Sequence, residues 1–193
     1  MAHIAILVEK LYEDLELQYP RLRLREAGHT VDIIGPKAGE TYIAKHGYPQ
    51  KAEKAAADVK ATDYQLVIIP GGSSPDHMRR NEHMVQFVQD AAKANIPIAA
   101  ICHGPWMLCS TEALKGRRAT SYMSIVHDVT NAGATWVDEE CVVDGPIITS
   151  RVPDDLPAFM RAILELLETG KSHGTKGKPA APAWVKRMSA GAA

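Results

Sequence analysis

Gln65-Leu66-Val67-Ile68-Ile69 is apolar from Leu66 onward and stops dead at Pro70-Gly71-Gly72-Ser73; similar runs stand at Ile4–Val8 and Ile96–Ile101, and Val31–Ile34 is a further strand broken by Asp32. A strand with one wet face alternates apolar and polar residues, so a run that is apolar throughout demands cover on both faces. The stretches between these runs read as helices. Tyr12–Ala27 places Leu15, Tyr19 and Leu22 on one face and ends at Gly28, with Pro20 expected to kink or break it. Met84, Phe87, Val88, Ala91 and Ala92 share the face of a second helix. Strands alternating with helices imply an α/β three-layer sandwich around a mostly parallel sheet, with its active site at the carboxyl ends of the strands.

The rest of the chain is patterned less strongly. Lys37–Ala61 reads as a loop with a small hairpin around Gly47, and Arg118–Ser121 as a short strand. Ser124 is placed to cap a helix that Gly133 ends. Val142–Val143, Asp144–Gly145 and Ile147–Ile148 form a hairpin signal. A last helix opens at Asp154 or Asp155, carries Phe159, Met160, Ile163, Leu164 and Leu167 inward, and closes at Gly170. Residues 1–170 are therefore expected to form one domain. Residues 171–193, rich in Lys, Gly, Pro and Ala, are expected to form a mobile basic tail in which Trp184, Val185 and Met188 are the residues able to dock.

Composition removes several function classes. A net charge of -1 supplies no basic field for nucleic acid. No stretch has the length of a membrane span, and Ile4–Val8 is too short and uncharged in front to be a signal peptide. Three cysteines, an odd number, fit a reducing compartment, and the cytoplasm is the expected location. His77 and His83 lie near Asp76 and Glu82, but no metal-binding spacing accompanies them, so neither a metal nor another cofactor is expected.

Chemistry concentrates where Ile96–Ile101 ends in Cys102-His103-Gly104-Pro105. A side chain on such a strand-to-helix turn stands above the sheet edge, facing the backbone N–H groups of the new helix, which favour a thiolate. Cys102 is the candidate nucleophile; the competing reading is a cysteine buried at the end of a core strand. By the rule that strand ends share a crevice, Gly71 and Gly72 meet this turn, and the amides of Gly72 and His103 become candidates to receive an oxyanion. His103 is one candidate proton carrier. Glu13, Asp14 and Glu16 are others, and spacing alone does not select among them.

Pro70-Gly71-Gly72, Ala100-Ile101-Cys102-His103-Gly104-Pro105, Thr120-Ser121-Tyr122, Asn131-Ala132-Gly133, Trp136-Val137-Asp138 and Ser150-Arg151-Val152-Pro153-Asp154-Asp155-Leu156 together resemble the PfpI family of intracellular proteases. That family is a branch of the class I glutamine amidotransferase-like superfamily, which also contains the parkinsonism-associated deglycase. The resemblance runs from His3 to about Glu168. It implies a flavodoxin-like sandwich assembling as dimers or hexamers, Cys102 as nucleophile with His103 beside it, and Glu16 as the carboxyl that hydrogen-bonds the cysteine. It also places Asp76, where relatives carry glutamate, near His103 of a neighbouring subunit, and Tyr122 and Gly104 at the pocket. An amidotransferase function is disfavoured, because none of the eight histidines is followed two positions later by glutamate. The expected function is a stress-related cysteine hydrolase of the protease or amidase type, acting on a peptide or amide. The alternatives are a glutathione-independent glyoxalase or protein deglycase acting on a small aldehyde, and a redox sensor working through oxidation of Cys102.

Overall fold

The β-branched and aliphatic runs become the central strands, and the computed structural model describes residues 1–171, 173 and 174. In chain order the first half comprises β1 (His3–Leu7), α1 (Asp14–Glu26), β2 (Thr30–Gly35), β3 (Thr41–Ile43), β4 (Pro49–Lys51), β5 (Lys54–Ala55), β6 (Leu66–Ile69), α2 (Ser74–Met78) and α3 (Glu82–Lys93). The second half comprises β7 (Ile98–Ile101), α4 (Pro105–Cys109), β8 (Arg118–Ala119), α5 (Val126–Asn131), β9 (Thr135–Trp136), β10 (Cys141–Asp144), β11 (Ile147–Ser150) and α6 (Leu156–Thr169).

Seven strands form one sheet in the order β10-β11-β7-β6-β1-β2-β5. Every neighbouring pair is parallel except the hairpin of β10 and β11. One face is covered by Leu17 and Leu24 of α1 with Phe159 and Ile163 of α6; the other receives Met84 and Phe87 of α3, Met107 of α4 and Val129 of α5. Burial on both sides is why β1, β6 and β7 contain no polar residue after His3. Asn81 caps α3, its side chain accepting the Met84 amide at 3.1 Å. Gly170, at φ 74°, terminates α6 in the left-handed conformation.

Three expectations need correction. Helix α1 is continuous through Pro20, and its buried residues are Glu16, Leu17, Pro20 and Leu24. Leu15, Tyr19 and Leu22 point outward, the first and last 58% exposed. The cause lies upstream, where Tyr12 bridges Gly72 and the Ser73 amide donates to Leu11 O at 2.9 Å, rotating the helix so that Glu16 enters the molecule. Within 37–61, the hairpin of β3 and β4 is present, but Lys54–Ala55 also adds a parallel edge strand beside β2. Ser124 lies in a 3₁₀ turn, Met123–Ile125, and caps nothing: α5 starts at Val126 without a side-chain cap. No helix among the described residues is long and apolar enough to cross a membrane. The expected tail, apart from residues 171, 173 and 174, lies outside the described residues.

Candidate active site

Strands β6 and β7 are parallel neighbours, so the loops leaving their carboxyl ends meet. Cys102 leaves β7 with φ 60°, a conformation rare for a residue bearing a side chain. Three backbone bonds hold that turn: the Cys102 amide donates to Ser150 O at 2.9 Å, Gly104 to Ile101 O at 2.7 Å, and Tyr122 to Cys102 O at 2.8 Å. Gly104 is required because a Cβ there would lie 2.4 Å from Ile69 O. At Gly71 a Cβ would lie 2.7 Å from Glu16 Oε2 and 2.8 Å from both Cys102 Cβ and the His103 amide. The loop is therefore as close to the thiol as a backbone comes.

Glu16 is fully buried. Its Oε2 accepts the Gly71 amide at 2.7 Å, and Oε1 has no hydrogen-bond partner among the described residues. The Cys102 thiol is a neighbour of this carboxyl, close enough that each group shifts the other's protonation. Burial, and secondarily the negative charge of Glu13, push the Glu16 carboxyl up to about 8, against which the Gly71 amide pulls. The thiol is also pushed above its ordinary value, by burial and then by the Glu16 charge, while the amides of Gly72 and His103 act in the opposite direction. The expected helix-end activation is thus outweighed: α4 has only five residues, and Cys102 is 7% exposed. Two acids in contact, both raised, keep at least one proton between them at neutral pH.

His103 also reaches the sulfur. Its Nδ1 is 3.2 Å from Cys102 Sγ and its Nε2 is 3.1 Å from Ser124 Oγ. The ring stacks on Tyr122 with centroids 4.8 Å apart and tilts against Trp106 at 5.1 Å. Burial and the Lys45 ammonium lower its pKa, leaving the imidazole neutral near pH 7. Lys45, on the turn between β3 and β4, pairs with Glu13 at 3.3 Å. Among the described residues Glu13, Asp14 and His46 bring one possible ligand atom each within 4.8 Å of one another. His46 already hydrogen-bonds Asp14 at 3.0 Å and Lys45 pairs with Glu13, so these three side chains are engaged within the protein at the rim of the site.

The structure brings Cys102, His103, Glu16, Gly71, Gly72, Gly104 and Tyr122 together. Asp76 does not join them within this chain; it is half-exposed and pairs with Arg80 one turn along. Lys45 and Ser124 were missed as site residues. Neither lies in a loop leaving the seven-stranded sheet, and only the folded hairpin and the 3₁₀ turn carry them toward His103. Tyr122 also lines a cavity of about 130 Å³ with Met123, Trp136, Arg151 and Val152. Neither Cys109 nor Cys141 is among the groups that bond Cys102 or His103, and burial pushes both thiols up to about 11.

The family model described as DJ-1/PfpI matches residues 2–166. A deglycase of Pyrococcus abyssi is 42% identical over 165 residues, 86% of this chain and 99% of that protein. A Bacillus subtilis protein bearing the provisional name cysteine protease YraA is 44% identical over 165 residues, 86% of this chain and 98% of its own. Among solved structures, a two-domain protein of Anabaena variabilis with DJ-1/ThiJ/PfpI-like and ferritin-like domains superposes with a TM-score of 0.84 at 38% identity. That match covers 98% of this chain and 57% of the two-domain protein. With the family model spanning most of its length and its relatives aligned nearly end to end, this chain belongs to the DJ-1/PfpI family.

Proposed function

We propose that this chain is a cysteine-dependent enzyme of the deglycase and glyoxalase type, adding the Cys102 thiol to the aldehyde carbon of a small 2-oxoaldehyde or of its early adduct on a protein. The observation that carries this reading is the buried Glu16 carboxyl in contact with a thiol that is itself only 7% exposed. A narrow approach favours a compact carbonyl over an extended peptide. A carboxyl still protonated near pH 7 supplies what carbonyl addition requires, a proton for the oxygen as the carbon–sulfur bond forms. Relatives named deglycase and cysteine protease, each more than two-fifths identical, agree with a thiol enzyme and leave the substrate to this chemistry.

In the first step the thiol proton passes to His103 and sulfur bonds to the aldehyde carbon. The carbonyl electron pair moves to oxygen, which the amides of Gly72 and His103 stabilise and Glu16 protonates, giving a hemithioacetal. The ionised Glu16 then takes the proton from the former aldehyde carbon and delivers it to the neighbouring carbon, while the hydroxyl proton moves from the first oxygen to the second. This internal redox step yields a 2-hydroxyacyl thioester. Solvent water cleaves it: one water proton returns to Glu16, the His103 proton returns to sulfur, and the 2-hydroxy acid leaves, so that one water is consumed per turnover. The assembly reading belongs to the same proposal: copies associate through the exposed stripe of Leu15, Tyr19 and Leu22, with Asp76 facing a neighbouring copy.

The test is loss of methylglyoxal with lactate formation in the absence of glutathione, for the native protein and Cys102→Ser, with a peptide amide assayed in parallel. Turnover that vanishes in the variant is expected. Cleavage of the amide with no dicarbonyl turnover would replace this reading by the hydrolase. Oxidation of Cys102 by peroxide without turnover on either substrate would replace it by the sensor.

A further inference from the structure

We propose that Ser124 is a positioning residue that holds His103 with its proton on Nε2, leaving the Nδ1 lone pair to accept the Cys102 proton within a single chain. The proposal deepens the thiol-enzyme reading and rests on it. A neutral imidazole has one donor nitrogen and one acceptor nitrogen, and the partner of one decides the role of the other. Here Nδ1 is 3.2 Å from Sγ and Nε2 is 3.1 Å from Ser124 Oγ, so the two contacts lie at opposite corners of one ring. A hydroxyl that accepts from Nε2–H makes Nδ1 the base.

Independent features agree. The serine has been released from the role its sequence position foretold: α5 begins at Val126 without a side-chain cap, and Ser124 Oγ is spent on His103 instead. The ring cannot turn freely to exchange its nitrogens, because Tyr122 stacks on it and Trp106 leans against it. The remaining charged groups of the site are placed for other work. Lys45 pairs with Glu13, Glu16 accepts the Gly71 amide, and Asp76 is engaged by Arg80. When Sγ gives its proton to Nδ1, the imidazolium carries both protons, one donated back to the thiolate and one to Ser124. The Nδ1 proton returns to sulfur when water cleaves the thioester, so the cycle closes with no reagent beyond that water.

The experiment uses the full chain with Ser124→Ala, Ser124→Thr and Asp76→Ala. Three readouts are taken: the rate of Cys102 alkylation by iodoacetamide against pH, resolved by site with mass spectrometry; the His103 tautomer by ¹⁵N NMR; and methylglyoxal turnover. Ser124→Ala is expected to lower the Nε2–H population and to slow alkylation at pH 7 about fivefold, the scale of one neutral hydrogen bond. Its pH profile moves upward by about 0.7 on the pH axis, the logarithm of that factor, and threonine restores both. A native tautomer and profile in Ser124→Ala overturns the proposal, as does a threonine variant no better than alanine. The same displacement of the profile from Asp76→Ala, absent from Ser124→Ala, assigns the role to a neighbouring copy's carboxylate and also overturns it. Failure of the substrate reading is distinguishable: the slowed alkylation then persists in a protein that does not turn over methylglyoxal.

Discussion

Replacing Glu16 by glutamine tests whether a proton resides on this carboxyl at neutral pH. Glutamine keeps the shape, its carbonyl accepting the Gly71 amide and its NH₂ directed at the sulfur, but it does not titrate. In the native chain the carboxyl moves from an ordinary 4.5 to about 8 on folding, chiefly through burial. Between those values the unfolded state has lost a proton that the folded state keeps, so stability falls as pH rises. This group's contribution is fully present below pH 4.5 and gone above about 8. Integrating the linkage relation from roughly pH 5 to 8.5 yields a loss of about 4 kcal/mol, since one proton costs about 1.4 kcal/mol for each tenfold change in its activity. The glutamine variant escapes that loss. Urea titrations of both proteins across this range are therefore expected to show their stability difference changing by about 4 kcal/mol in favour of glutamine toward alkaline pH. With a slope near ~2 kcal/mol/M, the two midpoints diverge by roughly 2 M. Curves that stay parallel within about 1 kcal/mol would refute the raised carboxyl and, with it, Glu16 as proton donor in the addition step. Dicarbonyl turnover should also fall in the variant, because an amide does not release a proton.

Other expectations follow from packing. Gly71→Ala inserts a methyl 2.7 Å from Glu16 Oε2 and 2.8 Å from Cys102 Cβ, so a loss of about 1–3 kcal/mol and of most turnover is expected from denaturation and activity assays. Phe159→Ala empties a fully buried position beneath the sheet at a cost of about 3–5 kcal/mol, read by calorimetry, while Cys102 alkylation in the still-folded fraction keeps its native pH profile. Leu15→Ser combined with Leu22→Ser removes the most exposed part of the α1 stripe; light scattering should report a smaller assembly, and an unchanged mass would argue against that face as the contact.

The central strands were legible because double burial leaves no position for a polar residue, and a run such as Leu66–Ile69 therefore announces itself. The meeting of Gly71 with Cys102 was legible as well, since parallel neighbours must bring their carboxyl ends together. Helix α1 was not. Its apolar spacing through Leu15, Tyr19 and Leu22 is real, but the bridge from Tyr12 to Gly72 turns that stripe outward and puts a carboxylate inside. Periodicity reports which residues share a face and is silent on which face is buried. Ser124 shows the same limit on a smaller scale. A serine before a helical stretch reads as a cap, and only the 3₁₀ turn around it aims its hydroxyl at His103.

The sequence alone determined the layered α/β architecture and the strand-to-helix turn that carries Cys102, because these depend on local periodicity and on glycines that no other residue can replace. It also carried the resemblance that selected Glu16. Tertiary structure decided the electrostatics: which carboxyl loses its water, that the thiol is raised rather than lowered, and which partners hold each nitrogen of His103. Desolvation and hydrogen bonding act between groups far apart in the chain, Glu16 and Gly71 being separated by 55 residues, and no reading of neighbours along the chain contains them.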